Sequence, residues 1–238
     1  SIRFVPLDAV ERVEMDDRRR RASDDGDNWA RSDAQSEIGS HDLLISKPAL
    51  RKGAATELLR QSTRAVLIGE GGSGKSRCLA AFALVEARDW QPGRPWPLLV
   101  SLATYTHEGL GTLLSSESGI DWLDLLPLIE LGHLTLCLDG LNECADAYYD
   151  QWVTEITNIL REYPNARIIL TNRTSQILPN LGLETFELEP MTRELQNHFL
   201  EAYLKQPQQA ELILEQLHLH PEGSRLAESP MLLRIAAE

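Results

Sequence analysis

Residues 69–76 read Gly69, Glu70, Gly71, Gly72, Ser73, Gly74, Lys75 and Ser76, and they satisfy G-x-x-x-x-G-K-[ST] at every fixed position. The octet follows an apolar run, Ala65, Val66, Leu67 and Ile68, of buried-strand character, and precedes a helical stretch over residues 76–88. Strand, glycine loop and helix in that order limit the chain to an α/β core. The spacing has a chemical reason. Glycines let successive backbone N–H groups wrap around phosphate oxygens without Cβ clashes, and the helix that follows points its positive dipole end at the same anion. Lys75 would reach the β and γ phosphates, and the Ser76 hydroxyl would ligate Mg²⁺. Gly69, Gly71, Gly72, Ser73, Gly74, Lys75, Ser76 and the adjoining Arg77 form the candidate nucleotide-binding set. A glycine-rich turn that binds nothing is the alternative, and the flanking strand and helix speak against it.

The apolar runs recur at residues 98–102, 134–138 and 167–171, with a weaker one at 185–188. Helical stretches at residues 122–131 and 148–163 separate them, and Ala54, Ala55, Leu58 and Leu59 mark another ahead of the loop. Alternating strands and helices imply a parallel sheet covered on both faces, here of five strands. One strand falls between the loop strand and the 134–138 strand in sequence, and another follows. That order fits the additional-strand class of P-loop NTPases, in which the later strand lies between the other two. Beyond Pro190 the pattern turns all-helical. Thr192 is a candidate N-cap for a helix carrying Leu195, Phe199 and Tyr203, and residues 210–219 and 227–236 read as two more helices. The expected organisation is an arm or linker over residues 1–47, partly helical over residues 7–21, a nucleotide-binding core over 48–190, and a helical lid over 191–238.

Asp139 closes the 134–138 run at the strand end where open α/β sheets bind ligands, which suits a carboxylate that holds Mg²⁺ with Ser76. It could otherwise act only as a cap. Gly140, Leu141, Asn142 and Glu143 follow. Glu143 is the candidate to orient or deprotonate an attacking water, and otherwise would start the next helix. Arg173 follows Thr171 and Asn172 at the tip of the intervening strand, a position from which a cation could sense the γ phosphate. A plain surface arginine is the alternative.

Taken in order, the loop, the strand from Trp96 to Leu102, the Leu138, Asp139, Gly140, Leu141, Asn142, Glu143 segment, the Leu170 to Arg173 segment and the Leu188 to Thr192 segment resemble the NACHT branch of the STAND signalling ATPases. These are relatives of AAA+ proteins and include NOD-like immune receptors and bacterial defence proteins. The resemblance spans residues 58–238, and its most specific element is the small Gly140 directly after Asp139. It implies a slow ATPase switch, closed around ATP or ADP with GTP left open, that self-associates in its active state. It also implies that Pro230 touches the nucleotide base; a proline opening a helix is the simpler reading. The family pattern has two acids where this chain has Asn142 and Glu143, so base function falls on Glu143 alone. Sensor and effector domains would lie outside this segment. A motor-type AAA+ ATPase and a non-hydrolysing nucleotide-bound scaffold are the competing readings.

Composition narrows the partners. With 36 acidic against 23 basic residues and a net charge of −13, the chain offers no broad cationic face for nucleic acid. The arginines at 18–21 could bind nucleic acid or acidic lipid, but Asp16, Asp17, Asp24, Asp25 and Asp27 flank them and would cancel their field. No apolar run reaches the roughly 20 residues of a membrane span. Cys78, Cys137 and Cys144 lack metal-ligand or disulfide spacing, which points to a reducing, cytoplasmic setting. His218 and His220 read as a solvent-facing helix end. The start at Ser1 and the end at Glu238 within a helical run suggest part of a longer chain.

Overall fold

Short runs of leucine and β-branched residues settle as parallel strands when both faces can be covered. The computed structural model, which describes residues 5–12, 51–173 and 181–238, has them so. Along the chain come β1 (Asp8–Arg12), β2 (Lys52–Ala54), α1 (Ala55–Gln61), β3 (Arg64–Ile68), α2 (Lys75–Arg88), β4 (Trp96–Ser101), α3 (Gly109–Ser118), α4 (Trp122–Glu130), β5 (Leu134–Asp139), α5 (Tyr149–Glu162), β6 (Arg167–Asn172) and β7 (Glu184–Leu188). The lid adds α6 (Arg193–Leu204), α7 (Pro207–His218), α8 (Pro221–Ala227) and α9 (Pro230–Ala237).

The sheet order is β2-β1-β7-β3-β6-β5-β4. The expected additional-strand arrangement is present: β6 lies between β3 and β5, parallel to both, with Leu67 opposite Thr171 and Leu138 opposite Leu170. The C-terminal ends of the loop strand, the Asp139 strand and the Arg173 strand therefore stand side by side. Strand alternation divides the interior in two. Val66, Ile68, Leu136, Leu138, Ile168 and Leu170 face a core closed by α3, α4 and α5, where Trp152 is fully buried. Ala65, Leu67, Cys137 and Ile169 face a second core closed by α1, α2 and the lid helices, with Phe82, Leu200 and Leu214 in it.

The sheet has seven strands among the described residues, not five, because β1 and β2 extend it antiparallel beyond β7, with Ala9 opposite both Leu188 and Gly53. Asp8–Arg12 is accordingly strand and not the helix expected over residues 7–21; residues 13–21, with the arginine run, lie outside the described residues. The physical reason is that polar side chains of β1 are satisfied by ion pairs instead of apolar burial. Arg51 reaches Glu11 at 3.1 Å and Glu184 at 2.8 Å, and Arg12 pairs with Glu187.

Helices show the same override of local pattern. α3 has glycines at 109 and 111, and it forms where Glu155 of α5 accepts the Leu110 N–H at 2.6 Å. The single helix expected over residues 227–236 is instead the end of α8 and a separate α9, which Pro230 opens at its first turn. His218 is half-buried and bonded to Gln196 and Ser224, not solvent-facing. Core and lid belong to one compact unit. Among the described residues no helix is long and apolar enough to cross a membrane.

Candidate functional site

The glycine loop leaves β3 and enters α2 at Lys75, with Gly74 as an N-cap that supplies no side-chain acceptor. The first-turn N–H groups of α2 are therefore available to an anion. Lys75 Nζ donates to the carbonyls of Gly69 and Glu70, both at 2.7 Å, and to Ser73 Oγ at 3.4 Å. Those acceptors hold the ammonium against the loop ahead of α2. Burial pushes the Lys75 pKa below its ordinary value, the charge of Arg173 adds to this, and Asp139 and Glu143 pull it back up. The other three charges named from sequence thus all act on Lys75.

A cavity of about 510 Å³ opens between loop and lid, a size suited to a small-molecule ligand. Gly71, Gly72, Gly74, Lys75, Ser76 and Arg77 line one wall, Asn142, Glu143 and Arg173 another, and Pro230 the lid side. Gly69 and Ser73 stand behind this wall as partners of Lys75. A larger cavity of about 670 Å³ lies among α3, α4 and α5, but Glu108, Asp121, Glu155 and Glu162 line it and no cation does, which disfavours phosphate there.

Asp139 ends β5, and its carboxylate takes the Thr171 hydroxyl at 2.6 Å. Gly140 follows at φ +76, a left-handed conformation that favours glycine. The Glu143 N–H donates to the Gly140 carbonyl at 2.8 Å, closing a 3₁₀ turn over Leu141–Glu143 anchored by the buried Leu141. A Cβ on Gly140 would lie 3.0 Å from Glu143 Oε2. Glu143 therefore belongs to the turn beside Asp139, six residues before α5 begins, and does not start that helix.

The donor set matches a hard divalent cation. Ser76 brings a hydroxyl and Asp139 a carboxylate, while among the described residues no cluster of three or more His, Cys, Asp or Glu could cage a metal. Mg²⁺ is commonly held in this way, by one or two protein oxygens with phosphates completing the sphere. The three cysteines are buried and free, and burial pushes Cys78 and Cys137 up to about 12, so they offer no thiolate.

Sequence reasoning missed two parts of this site. Thr171 was readable only as a β-branched strand residue. On the lid, Phe199 and Tyr203 read from sequence as one helix face, yet they stack with ring centroids 6.4 Å apart and line the cavity with Met231 and Arg234. The lid also touches the loop directly. Ser229 Oγ and the Met231 N–H approach the Gly72 carbonyl at 3.3 and 3.4 Å. Gly72 has φ +79, and a Cβ there would lie 2.9 Å from Met231 Cβ. Across the loop, Leu7 Cδ1 lies 2.7 Å from where Gly74 would carry a Cβ, so the segment ahead of β1 packs on the loop as well.

The NACHT domain family profile matches residues 63–207. Among solved structures, the crystal structure of Cdc6p from Pyrobaculum aerophilum is similar at 16% identity and a TM-score of 0.47, over 69% of this chain and 52% of that one. The chain thus spans about half the length of that protein. No curated protein matches it.

Proposed function

Because the chain belongs to the NACHT family of P-loop NTPases, we propose that it binds ATP or ADP with Mg²⁺ between loop and lid and acts as a slowly hydrolysing switch in signalling or defence. The observation that carries this reading is the docking of Ser229 and Met231 on the Gly72 carbonyl. The same loop that would wrap phosphate holds the lid, so any change in how the loop is occupied bears on lid closure.

In this reading Lys75 exchanges the Gly69 and Glu70 carbonyls for phosphate oxygens. Ser76 and Asp139 would hold Mg²⁺, which when bound would neutralise phosphate charge. Glu143 takes a proton from water as the water oxygen bonds to the γ phosphorus and the bond from that phosphorus to the β–γ bridging oxygen breaks. Arg173 offsets charge that gathers on the transferring group. Pro230, with Phe199 and Tyr203, faces the rest of the nucleotide. Asn142 leaves Glu143 as the sole acid of its pair, in keeping with slow turnover. Lid opening after exchange would expose surface for self-association, with sensor and effector elements beyond this segment.

The test is nucleotide content and single-turnover hydrolysis for wild type and Glu143→Gln. Wild-type turnover far below the ~1 s⁻¹ floor of ordinary enzymes, and a further loss of about 100-fold in Glu143→Gln with binding retained, are expected. Motor-like turnover would overturn the switch. Bound nucleotide without any hydrolysis would favour a structural scaffold, for which Asn142 is the supporting feature.

A further inference from the structure

Thr171 lies in β6 with 1% of its surface exposed, opposite Leu67 of the loop strand. Its hydroxyl donates to Asp139 Oδ1 at 2.6 Å and accepts the Gly140 N–H at 2.7 Å. The polarity is unambiguous. The Gly140 N–H can only donate, so the single hydroxyl hydrogen goes to the carboxylate. We propose that Thr171 is a positioning residue for the metal site. It holds one Asp139 oxygen and directs the other to the cation, and it fixes the peptide from which the turn to Glu143 departs. The proposal rests on the nucleotide reading above.

The linkage is economical because Thr171 sits two residues before Arg173 on the same chain. One hydroxyl ties the end of β5, the start of the Glu143 turn and the approach to Arg173. Without it the Gly140 N–H is left buried without its acceptor, and the carboxylate is free to rotate. Partners of this kind, bonded to a metal ligand, commonly change metal affinity by about 10–100-fold.

The experiment titrates Mn²⁺, as a paramagnetic stand-in, into the ADP-saturated full chain and follows free Mn²⁺ by electron paramagnetic resonance. ADP affinity in EDTA and thermal melting are measured in parallel. Thr171→Val should weaken Mn²⁺ binding by about tenfold and leave metal-free ADP affinity within about twofold. Thr171→Ser, which keeps the hydroxyl, should bind Mn²⁺ within about twofold of wild type. Unchanged Mn²⁺ affinity in Thr171→Val overturns the proposal. An equal loss in Thr171→Ser also overturns it, since the methyl group would then carry the effect. Should valine not fold, Thr171→Ala is read on the same scale. Failure of the wild type to bind ADP at all would sink the nucleotide reading itself, separately from the part given to Thr171.

Discussion

Gly140 shows how much one residue carries. Its left-handed backbone and its closeness to the Glu143 carboxylate place an acid beside the Asp139 strand end. A side chain there is strained by about 1–2 kcal/mol and crowds the Glu143 carboxylate, which must shift to make room. Gly140→Ala should therefore lower hydrolysis at least tenfold while nucleotide binding, read by fluorescence titration, changes far less. Equal losses in both would place the damage in the fold. Asp139 and Glu143 were legible in sequence because an acid ending an apolar run is a chemical signal. Thr171 was not, because a threonine inside a strand is what strand propensity alone supplies, and only the β5–β6 pairing makes its hydroxyl a partner of Asp139. Gln196 and His218 were hidden in the same way, as they meet only once α6 and α7 pack.

At the level of elements, β1 depends on charge where β3, β5 and β6 depend on burial. The Arg51 guanidinium holds the Glu11 carboxyl below the usual carboxylate range, against the upward push of burial. A carboxyl depressed in the fold stabilises above its unfolded pKa of about 4.3 and loses that contribution as pH falls through its folded value. Glu11→Gln should thus melt below wild type at pH 7, and the gap should close as pH falls below about 4. A gap that persists in acid would remove the ion pair from the account. In the apolar core, Trp152 of α5 is fully buried, and Trp152→Ala should cost about 3–5 kcal/mol by urea denaturation. A cost under about 1 kcal/mol would mean the core readily collapses around the gap. Strands β3, β5 and β6 were legible because their apolar runs serve two covered faces, and β4 and β7 because apolar residues recur along them. β1 and β2 are short and polar, and α3 is glycine-bearing; each is completed by partners distant in sequence, which local periodicity does not register.

For the whole molecule, a net charge of −13 and a site for a polyanion are compatible because four cations share one cavity. Lys75, Arg77, Arg173 and Arg234 line it from three separate parts of the chain. Loop, strand tips and lid meet there, so ligand binding should stabilise the entire unit. Mg-ADP at 100 times its Kd should contribute about 2.7 kcal/mol, a rise in Tm of about 5–10 °C for a unit of this size. The most direct test of the account is calorimetric titration of Mg-ADP into wild type and into Lys75→Ala, with equal melting of the two free proteins checked first. The account predicts a saturable wild-type isotherm and a loss of about 100-fold or more in Lys75→Ala, from removal of a charge-assisted contact to phosphate. Equal affinity in the two proteins would contradict it.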